Sequence, residues 1–242
     1  DVISEKPMAE SLEDARKMHE TAEANGRMLM VHQQLRWHPM HFTARKLIQD
    51  DAIGTVRCLG SNMSVFSDAP LQGYRSKLPH AILQDLAIHH LDLIRYLSGE
   101  ECDSLYVRDW PSLQDGIAIP TTTSAYAILN MTHNVTACYT STMRRLLEPV
   151  GYECAARITG SKGELMFRHG ELTLQTHERA ADNAAPQKIT PEPPAVPTWK
   201  AFAQAIETRE PTLTNSADNL KSLAVMFAAI ESADSGRVIA LA

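Results

Sequence analysis

The sequence predicts an α+β protein built on a large, open, mostly antiparallel sheet with helices on one face. The last strand–helix–strand piece of a parallel sheet precedes it. Three observations predict this fold class. The chain opens with an apolar strand, an amphipathic helix and a second apolar strand. Segments that alternate apolar and polar residues then follow one another without intervening helices, as in antiparallel sheets. Two further helices close the chain.

The opening helix carries the signals of a defined start and stop. Ser11 is placed to cap its N-terminus, with Asp14 in the capping-box position, and Asn25-Gly26 supply the stop. The apolar run at 27–31 then predicts a buried strand. Two strands joined by a helix form a parallel crossover unit, which needs more strands to make a stable sheet.

The remaining elements follow from periodicity and from glycine and proline positions. In order, they are a helix at 40–49, a strand at 55–66, a helix at 82–97, a strand at 102–110, two strands at 123–131 and 135–143, three short strands within 153–176, an Ala- and Pro-rich loop at 179–197, helices at 198–208 and 216–235, and an edge strand near the end.

Composition excludes several classes of function. The formal net charge of −6 argues against a nucleic-acid partner, because a polyanion needs a basic surface. No apolar run approaches the ~20 residues of a membrane span. No charged and apolar leader is visible, and the four cysteines form no C-x-x-C pair. We therefore expect buried thiols in a reducing compartment and a cytoplasmic protein.

The stretch "LQDLAIHHLD" at 83–92 concentrates polar residues in an apolar helix. At ~100° per residue, Asp85, His89 and Asp92 fall within an arc of about 60°, whereas His90 lies among apolar side chains. His90 is therefore interpreted as a core histidine. Asp85 and His89 are four residues apart, so a carboxylate could orient an imidazole. A structural pair, a metal site and an acid–base pair all remain open from spacing alone.

Four motifs together resemble the family of glucose–fructose oxidoreductase, inositol dehydrogenase and the rhizopine-catabolism proteins. They are "EKP" at 5–7, "RWHP" at 36–39, "DLAIHHLD" at 85–92 and the closing helices from 202 onward. The resemblance implies that 1–35 is a remnant of a dinucleotide-binding Rossmann domain. Residues 36–242 would form the substrate-binding and oligomerisation domain, whose closing helices return toward the Rossmann half. No G-x-G-x-x-G occurs, so we expect the chain to be the C-terminal portion of such a protein.

The resemblance implies an NAD(P)-dependent oxidoreductase that transfers a hydride between nicotinamide and a sugar, polyol or related hydroxy compound. Lys6, Asp85 and His89 would be catalytic. His89, with an ordinary pKa near 6.5, would act as general base. Asp85 would orient His89 or bind a substrate hydroxyl, and Lys6 would bind the reacting oxygen. Asp92 would then be structural. By itself, this chain is not expected to turn over.

The resemblance also implies the partners of the site. Glu5, Lys6 and Pro7 would contact NAD or NADP, and no metal is expected. Tyr74 and Arg75 would join Asp85 and His89 in contacting the substrate. The open sheet face would pair subunits into a homo-dimer or homo-tetramer.

Three departures from the family pattern leave substrate and activity open. Ala87 replaces the usual glycine between Asp85 and His89, Ala81 stands in a run that is often glycine-rich, and His90 replaces a common aspartate. Two alternatives therefore stay open. One is a non-catalytic dimerisation or ligand-binding module, and the other is a metal-dependent hydrolase or isomerase that uses Asp85, His89 and Asp92.

Overall fold

The structure, a computed structural model, describes residues 1–65, 73–111, 113–114, 117–118 and 121–241, and at 113–114 and 117–118 it describes the backbone alone. The strands are β1 (Val2–Ser4), β2 (Leu29–Val31), β3 (Val56–Ser64), β4 (Cys102–Trp110), β5 (Leu113–Gln114), β6 (Ile117–Ala118), β7 (Ser124–Met131), β8 (Val135–Thr142), β9 (Gly151–Gly160), β10 (Gly163–Arg168), β11 (Glu171–Thr176), β12 (Gln187–Ile189) and β13 (Ile239–Ala240). The α-helices are α1 (Leu12–Ala24), α2 (Pro39–Gln49), α3 (Ile88–Ser98), α4 (His177–Ala181), α5 (Thr198–Thr208) and α6 (Ser216–Ser235).

The N-terminal elements form the predicted parallel crossover unit. Strand β1 pairs with β2 in parallel, with Val2 opposite Leu29, and α1 connects them. The Ser11 hydroxyl accepts a hydrogen bond from the backbone N–H of Asp14 at 3.0 Å. This bond satisfies one of the N–H groups that a helix start leaves unpaired. The carboxyl ends of both strands therefore point to one edge, where Lys6 and Gln33 follow.

The second unit is a nine-stranded sheet in the order β12-β11-β10-β9-β3-β8-β7-β4-β13. All neighbouring strands pair antiparallel except β3 and β8, which are parallel. The predicted mostly antiparallel sheet and the predicted edge strand β13 are thus confirmed. Strands β5 and β6 pair with each other as a separate hairpin.

One face of the sheet is covered by helices and forms the core. Helix α6 packs against β4, and α3 packs against β3 and β8. Along β7, Ala127 and Leu129 are buried, whereas Tyr126 and Ile128, which alternate with them, are more than half exposed on the other face. This alternation follows from the period of two in a strand. Among the described residues no helix is long and apolar enough to cross a membrane.

The predicted helix at 82–97 is divided into two geometries. Ile82–Ala87 is a π-helix, and it continues directly into α3. A π-helix joins residues five apart rather than four, so each residue turns by less than the 100° assumed for the sequence. With a smaller angle per residue, four steps come closer to one full turn, so Asp85 and His89 stay on one side of the helix, whereas Asp92 moves farther from Asp85 than the predicted arc placed it. Such π-helical turns are frequent at functional sites.

Two further expectations need correction. The Ala- and Pro-rich segment 179–197, predicted to be a loop, overlaps the end of α4 and contributes β12, which pairs with β11 at the sheet edge. The four cysteines are free thiols, but only Cys102 and Cys154 are buried. Cys58 and Cys138 are exposed, because their positions on β3 and β8 place them on the open face.

Candidate active site

The centre of the site is a contact between β1 and the π-helical segment. Lys6 follows β1 and donates from Nζ to the Asp85 carbonyl oxygen at 2.6 Å and to Asp85 Oδ1 at 3.0 Å. The two residues are 79 positions apart in the sequence, and both side chains are largely buried. The structure thus brings together two of the three predicted catalytic residues.

Asp85 collects the other residues predicted to contact substrate. The Tyr74 hydroxyl donates to Oδ1 at 2.8 Å, and Arg75 Nε donates to Oδ2 at 2.6 Å. Burial would raise the pKa of Asp85, but the bond from Arg75, the charge of Lys6 and the bond from Tyr74 hold that pKa below its ordinary value. Asp85 is therefore a carboxylate that binds Lys6, Tyr74 and Arg75. Among the described residues it makes no hydrogen bond to His89, and its other predicted role, binding a substrate hydroxyl, stays a prediction.

His89, the third predicted catalytic residue, is oriented by a different group. Its Nδ1 lies 2.9 Å from Oε1 of Gln33, a residue that is 1% exposed. In the described part of the chain Nε2 has no hydrogen-bond partner, yet it is not sealed from solvent. Burial and then the charge of Lys6 lower the pKa of His89 to about 2. The expected pKa near 6.5 is therefore wrong, and the imidazole is neutral at physiological pH.

Gln33 was not predicted from the sequence. The sequence did contain a signal for it. Gln33 is a polar residue two positions after the buried parallel strand β2, and ligand-binding sites form at that edge of such sheets. Lys6 occupies the equivalent place after β1. The partnership with His89 joins residues 56 apart in the sequence, and no periodicity encodes such a contact.

Aromatic side chains wall the site. The Tyr152 ring meets the His89 ring edge-on, with centroids 5.5 Å apart, and its hydroxyl accepts from Gln34 Nε2 at 3.3 Å. On the β1 side, Glu5 lies 3.2 Å from Nδ1 of His32, whose ring contacts the exposed Trp199 at 5.4 Å. These contacts place aromatic rings on both the β9 side and the β1 side of the cluster.

His90 is a core histidine, as predicted. It is fully buried, and its Nε2 donates to the Tyr152 carbonyl oxygen at 2.8 Å while Nδ1 accepts from the Tyr139 hydroxyl at 2.9 Å. Burial lowers the pKa of His90 to about 4. Both ring nitrogens are committed to the fold, so the ring has no atom left for chemistry.

Asp92 belongs to a closed ionic network, in agreement with its predicted structural role. Arg36 donates from Nε and Nη2 to the two Asp92 oxygens, each at 2.7 Å. Ser222 donates to the same carboxylate at 2.6 Å. Arg36 also contacts Asp218 at 2.7 Å, and Arg95 joins Asp218 at 3.0 Å.

These contacts do not support the metal-site alternative. Over residues 1–65, 73–111 and 121–241, no three His, Cys, Asp or Glu side chains are arranged to hold an ion. Asp92 is occupied by Arg36 and Ser222. Two further histidines also have carboxylate partners: His80 contacts Asp109 at 2.7 Å, and His133 contacts Glu100 at 2.8 Å.

Comparisons with curated proteins give sugar-acting relatives. The chain is 29% identical to D-apiose dehydrogenase of Paraburkholderia graminis in an alignment 261 residues long, gaps included, which covers 99% of this chain and 66% of the relative. It is 25% identical to 1,5-anhydro-D-fructose reductase of Ensifer adhaerens, covering 98% and 71%. The chain thus spans about two-thirds of the length of these relatives.

Solved structures and a family profile agree on the fold. An oxidoreductase of Agrobacterium radiobacter in complex with NAD+, L-tartaric acid and magnesium aligns with a TM-score of 0.84 at 24% identity, covering 98% of this chain and 72% of that one. Levoglucosan dehydrogenase in complex with NADH gives 0.84 at 19% identity, covering 99% and 73%. The profile of the GFO/IDH/MocA C-terminal domain matches residues 41–166, more than half of the chain. The protein therefore belongs to the GFO/IDH/MocA family.

Proposed function

We propose that this chain carries the catalytic and substrate-binding residues of a nicotinamide-dependent oxidoreductase that acts on a sugar, polyol or related hydroxy compound. One observation carries the proposal. Lys6, held by Asp85, and the neutral imidazole of His89 belong to one cluster, and each keeps bonding capacity. A lysine ammonium has three donors, and two of those of Lys6 are used within the described residues. His89 Nε2 has no partner there.

These two groups supply the donor and the proton acceptor that alcohol oxidation requires, and the low pKa of His89 makes its imidazole a weak base before substrate binds. The nicotinamide supplies the acceptor for the hydride that leaves the carbinol carbon. The remaining Lys6 donor binds the alcohol oxygen and stabilises negative charge on it. His89 Nε2 accepts the hydroxyl proton as the hydride leaves. In the reverse direction the same nitrogen returns the proton to the carbonyl oxygen.

Asp85, Tyr74 and Arg75 serve this pair. Asp85 fixes the Lys6 ammonium through its carboxylate Oδ1 and its backbone carbonyl oxygen. Tyr74 is 58% exposed, so it can contact substrate hydroxyls while its own hydroxyl stays bound to Asp85. Sugar or polyol as substrate class is supported by the names of the relatives.

The proposed cofactor is NAD, with NADP as the alternative. The structural neighbours with NAD+ or NADH bound support a nicotinamide cofactor. Glu5, Lys6 and Pro7 are placed by β1 at the same edge as His89, where they would contact the nicotinamide end. The pyrophosphate would be bound by residues other than these 242, because the sequence has no glycine-rich phosphate-binding turn.

The test is hydride transfer by the full-length protein, measured as nicotinamide reduction with a panel of aldoses, polyols and sugar acids. We expect Lys6→Met and His89→Asn each to lower kcat/KM by about 10²- to 10⁴-fold. Lys46→Met and His133→Asn are matched controls at exposed positions, and they should keep the wild-type rate. Wild-type rates in both site variants would overturn the proposed function.

A second function, subunit pairing through the open sheet face, is favoured by its exposed apolar side chains. Tyr126 and Ile128 of β7 and Trp110 of β4 lie there, 58%, 52% and 38% exposed. Exposed apolar patches of this kind mark interaction surfaces. We propose a homo-dimer or homo-tetramer through this face. Ile128→Glu should reduce the mass measured by sedimentation, whereas a wild-type monomer at micromolar concentration would contradict the pairing.

A further inference from the structure

Gln33 is held rigidly beneath the imidazole of His89. Its backbone N–H donates to the Val31 carbonyl oxygen at 2.8 Å, and its own carbonyl oxygen accepts from the N–H of Arg36 at 3.2 Å. Its side chain is buried, with Oε1 2.9 Å from His89 Nδ1. A buried amide on an anchored backbone defines the position of the ring against which it lies.

The direction of this hydrogen bond determines which nitrogen of His89 can accept a proton. An amide oxygen only accepts, so contact with Oε1 requires a hydrogen on Nδ1. A neutral imidazole then carries its lone pair on Nε2. The reversed amide would donate to Nδ1 and leave the hydrogen on Nε2, where it would prevent proton acceptance.

The nitrogen of the Gln33 side-chain amide argues against a role for Gln33 in stability alone. Gln33 Nε2 is sealed from solvent and has no hydrogen-bond partner among the described residues. Burying an unpaired N–H group costs free energy, and such groups are rare in native structures. A leucine or methionine at this position would avoid the cost. The polar side chain is therefore best explained by its single bond to His89.

We propose that Gln33 is a positioning residue that holds His89 in the Nδ1–H tautomer, so that Nε2 presents its lone pair to the alcohol proton. The inference rests on the proposed function, which assigns proton acceptance to His89. An amide orients the ring without adding charge, whereas a carboxylate would stabilise the imidazolium. The other titratable groups that act on His89 are Lys6 after β1, Asp85 and His90 on its own helical segment, His32 after β2 and Tyr152 on β9.

The first test needs no cofactor or turnover. Long-range proton–nitrogen NMR of the full-length protein labelled at histidine nitrogens reports the tautomer of each ring. His89, assigned with His89→Asn, should show a protonated Nδ1 and an unprotonated Nε2. In Gln33→Met this preference should be lost. A wild-type Nε2–H tautomer, or an unchanged tautomer in Gln33→Met, would overturn the inference.

The second test is the pH dependence of kcat/KM. Gln33→Met should lower kcat by about 10- to 100-fold, the loss typical when the outer partner of a functional histidine is removed. Gln33→Glu, nearly isosteric, should raise the pKa of His89, because a carboxylate favours imidazolium, and so bring an acid limb that lies near pH 2 in wild type up into the range where the enzyme is folded. Gln49→Met and Gln49→Glu are exposed controls in which rate and limb should stay unchanged. A Gln33→Glu profile identical to wild type would contradict the role.

The two proposals fail differently. If His89 is not the proton acceptor, His89→Asn keeps its rate while the NMR tautomer still depends on Gln33. If Gln33 does not position the ring, His89→Asn loses activity while the tautomer is the same in Gln33→Met and wild type. Should Gln33→Met not fold, Gln33→Glu alone tests the charge effect on both the ring and the pH profile.

Discussion

Two polar clusters on the same helical segment differ in how completely their groups are paired. The first, around Lys6, Asp85 and His89, keeps one lysine donor and one imidazole nitrogen unpaired within the described residues. In the second, Arg36 and Ser222 occupy both carboxylate oxygens of Asp92. Residue types and burial are similar in the two clusters. The difference teaches that unused bonding capacity, rather than charge or burial, distinguishes the proposed active site from the structural network.

The largest expected effect is on the closed network. Asp92→Ala leaves Arg36 buried with its main partner removed, and we expect the free energy of unfolding to fall by about 3–5 kcal/mol. Urea unfolding followed by circular dichroism measures it. Asp50→Ala, which removes an exposed partner of Lys46, is the control and should change stability by less than about 0.5 kcal/mol. An equally small loss in Asp92→Ala would show that the network does not stabilise the fold.

From the sequence, only the family resemblance distinguished the role of Asp92 from that of His89. The helical wheel placed Asp92 beside Asp85, because it applied one angle per residue to a segment that begins as a π-helix. Local propensity does not encode that turn, which forms as the chain packs between Lys6 and the sheet. The wheel did separate His90 correctly, because His90 and Asp92 both lie in the regular helix α3.

The next effect concerns His90 and acid stability. The folded state protonates His90 only near pH 4, whereas the unfolded chain does so near 6.5. Between these values the unfolded state binds more protons, so stability is full above pH 6.5 and is lost as the pH falls toward 4. The loss is on the order of 3 kcal/mol from this group. In His90→Gln, the slope of the unfolding free energy against pH should fall by the equivalent of about one bound proton. Urea titrations between about pH 7 and pH 5 measure this slope.

The matched control is His133→Gln, because His133 is exposed. Glu100 raises the pKa of His133, whereas burial lowers that of His90. His133→Gln should therefore leave the loss of stability at low pH in place. A His90→Gln variant with an undiminished slope would mean that other groups cause the acid sensitivity.

Asp85→Asn is expected to change catalysis more than stability. Without the carboxylate charge, Lys6 loses its counter-ion and keeps its bond to the backbone carbonyl oxygen of residue 85. Its ammonium is then less firmly placed, and a displacement of about 1 Å can cost 10²-fold in rate. We expect kcat to fall by about that factor. The unfolding free energy should change less than in Asp92→Ala, because Arg75 is half exposed and can be solvated. Asp103→Asn, an exposed control on β4, should keep the wild-type rate.

The opposite ranking would remove the distinction between the clusters. If Asp85→Asn destabilised the fold as much as Asp92→Ala and left kcat unchanged, Asp85 would be structural. The comparison also separates what sequence reasoning could find. Motif order linked Lys6 to Asp85 across 79 positions, but the choice between Gln33 and Asp85 as partner of His89 depends on tertiary geometry alone.

The smallest expected effect is at the exposed edge of the site. Arg75→Gln removes one of the groups that bind Asp85, but its side chain is 48% exposed, and such ion pairs contribute about 0.5–1 kcal/mol. We expect kcat/KM to fall by about two- to fivefold, mostly through KM, with a smaller difference at high salt because ions screen the charge. Lys77→Gln, exposed in the same short 3-10 turn, is the control. A loss near 10²-fold in Arg75→Gln would move Arg75 from the rim of the site to its centre, and Asp85 would then serve Arg75 rather than Lys6.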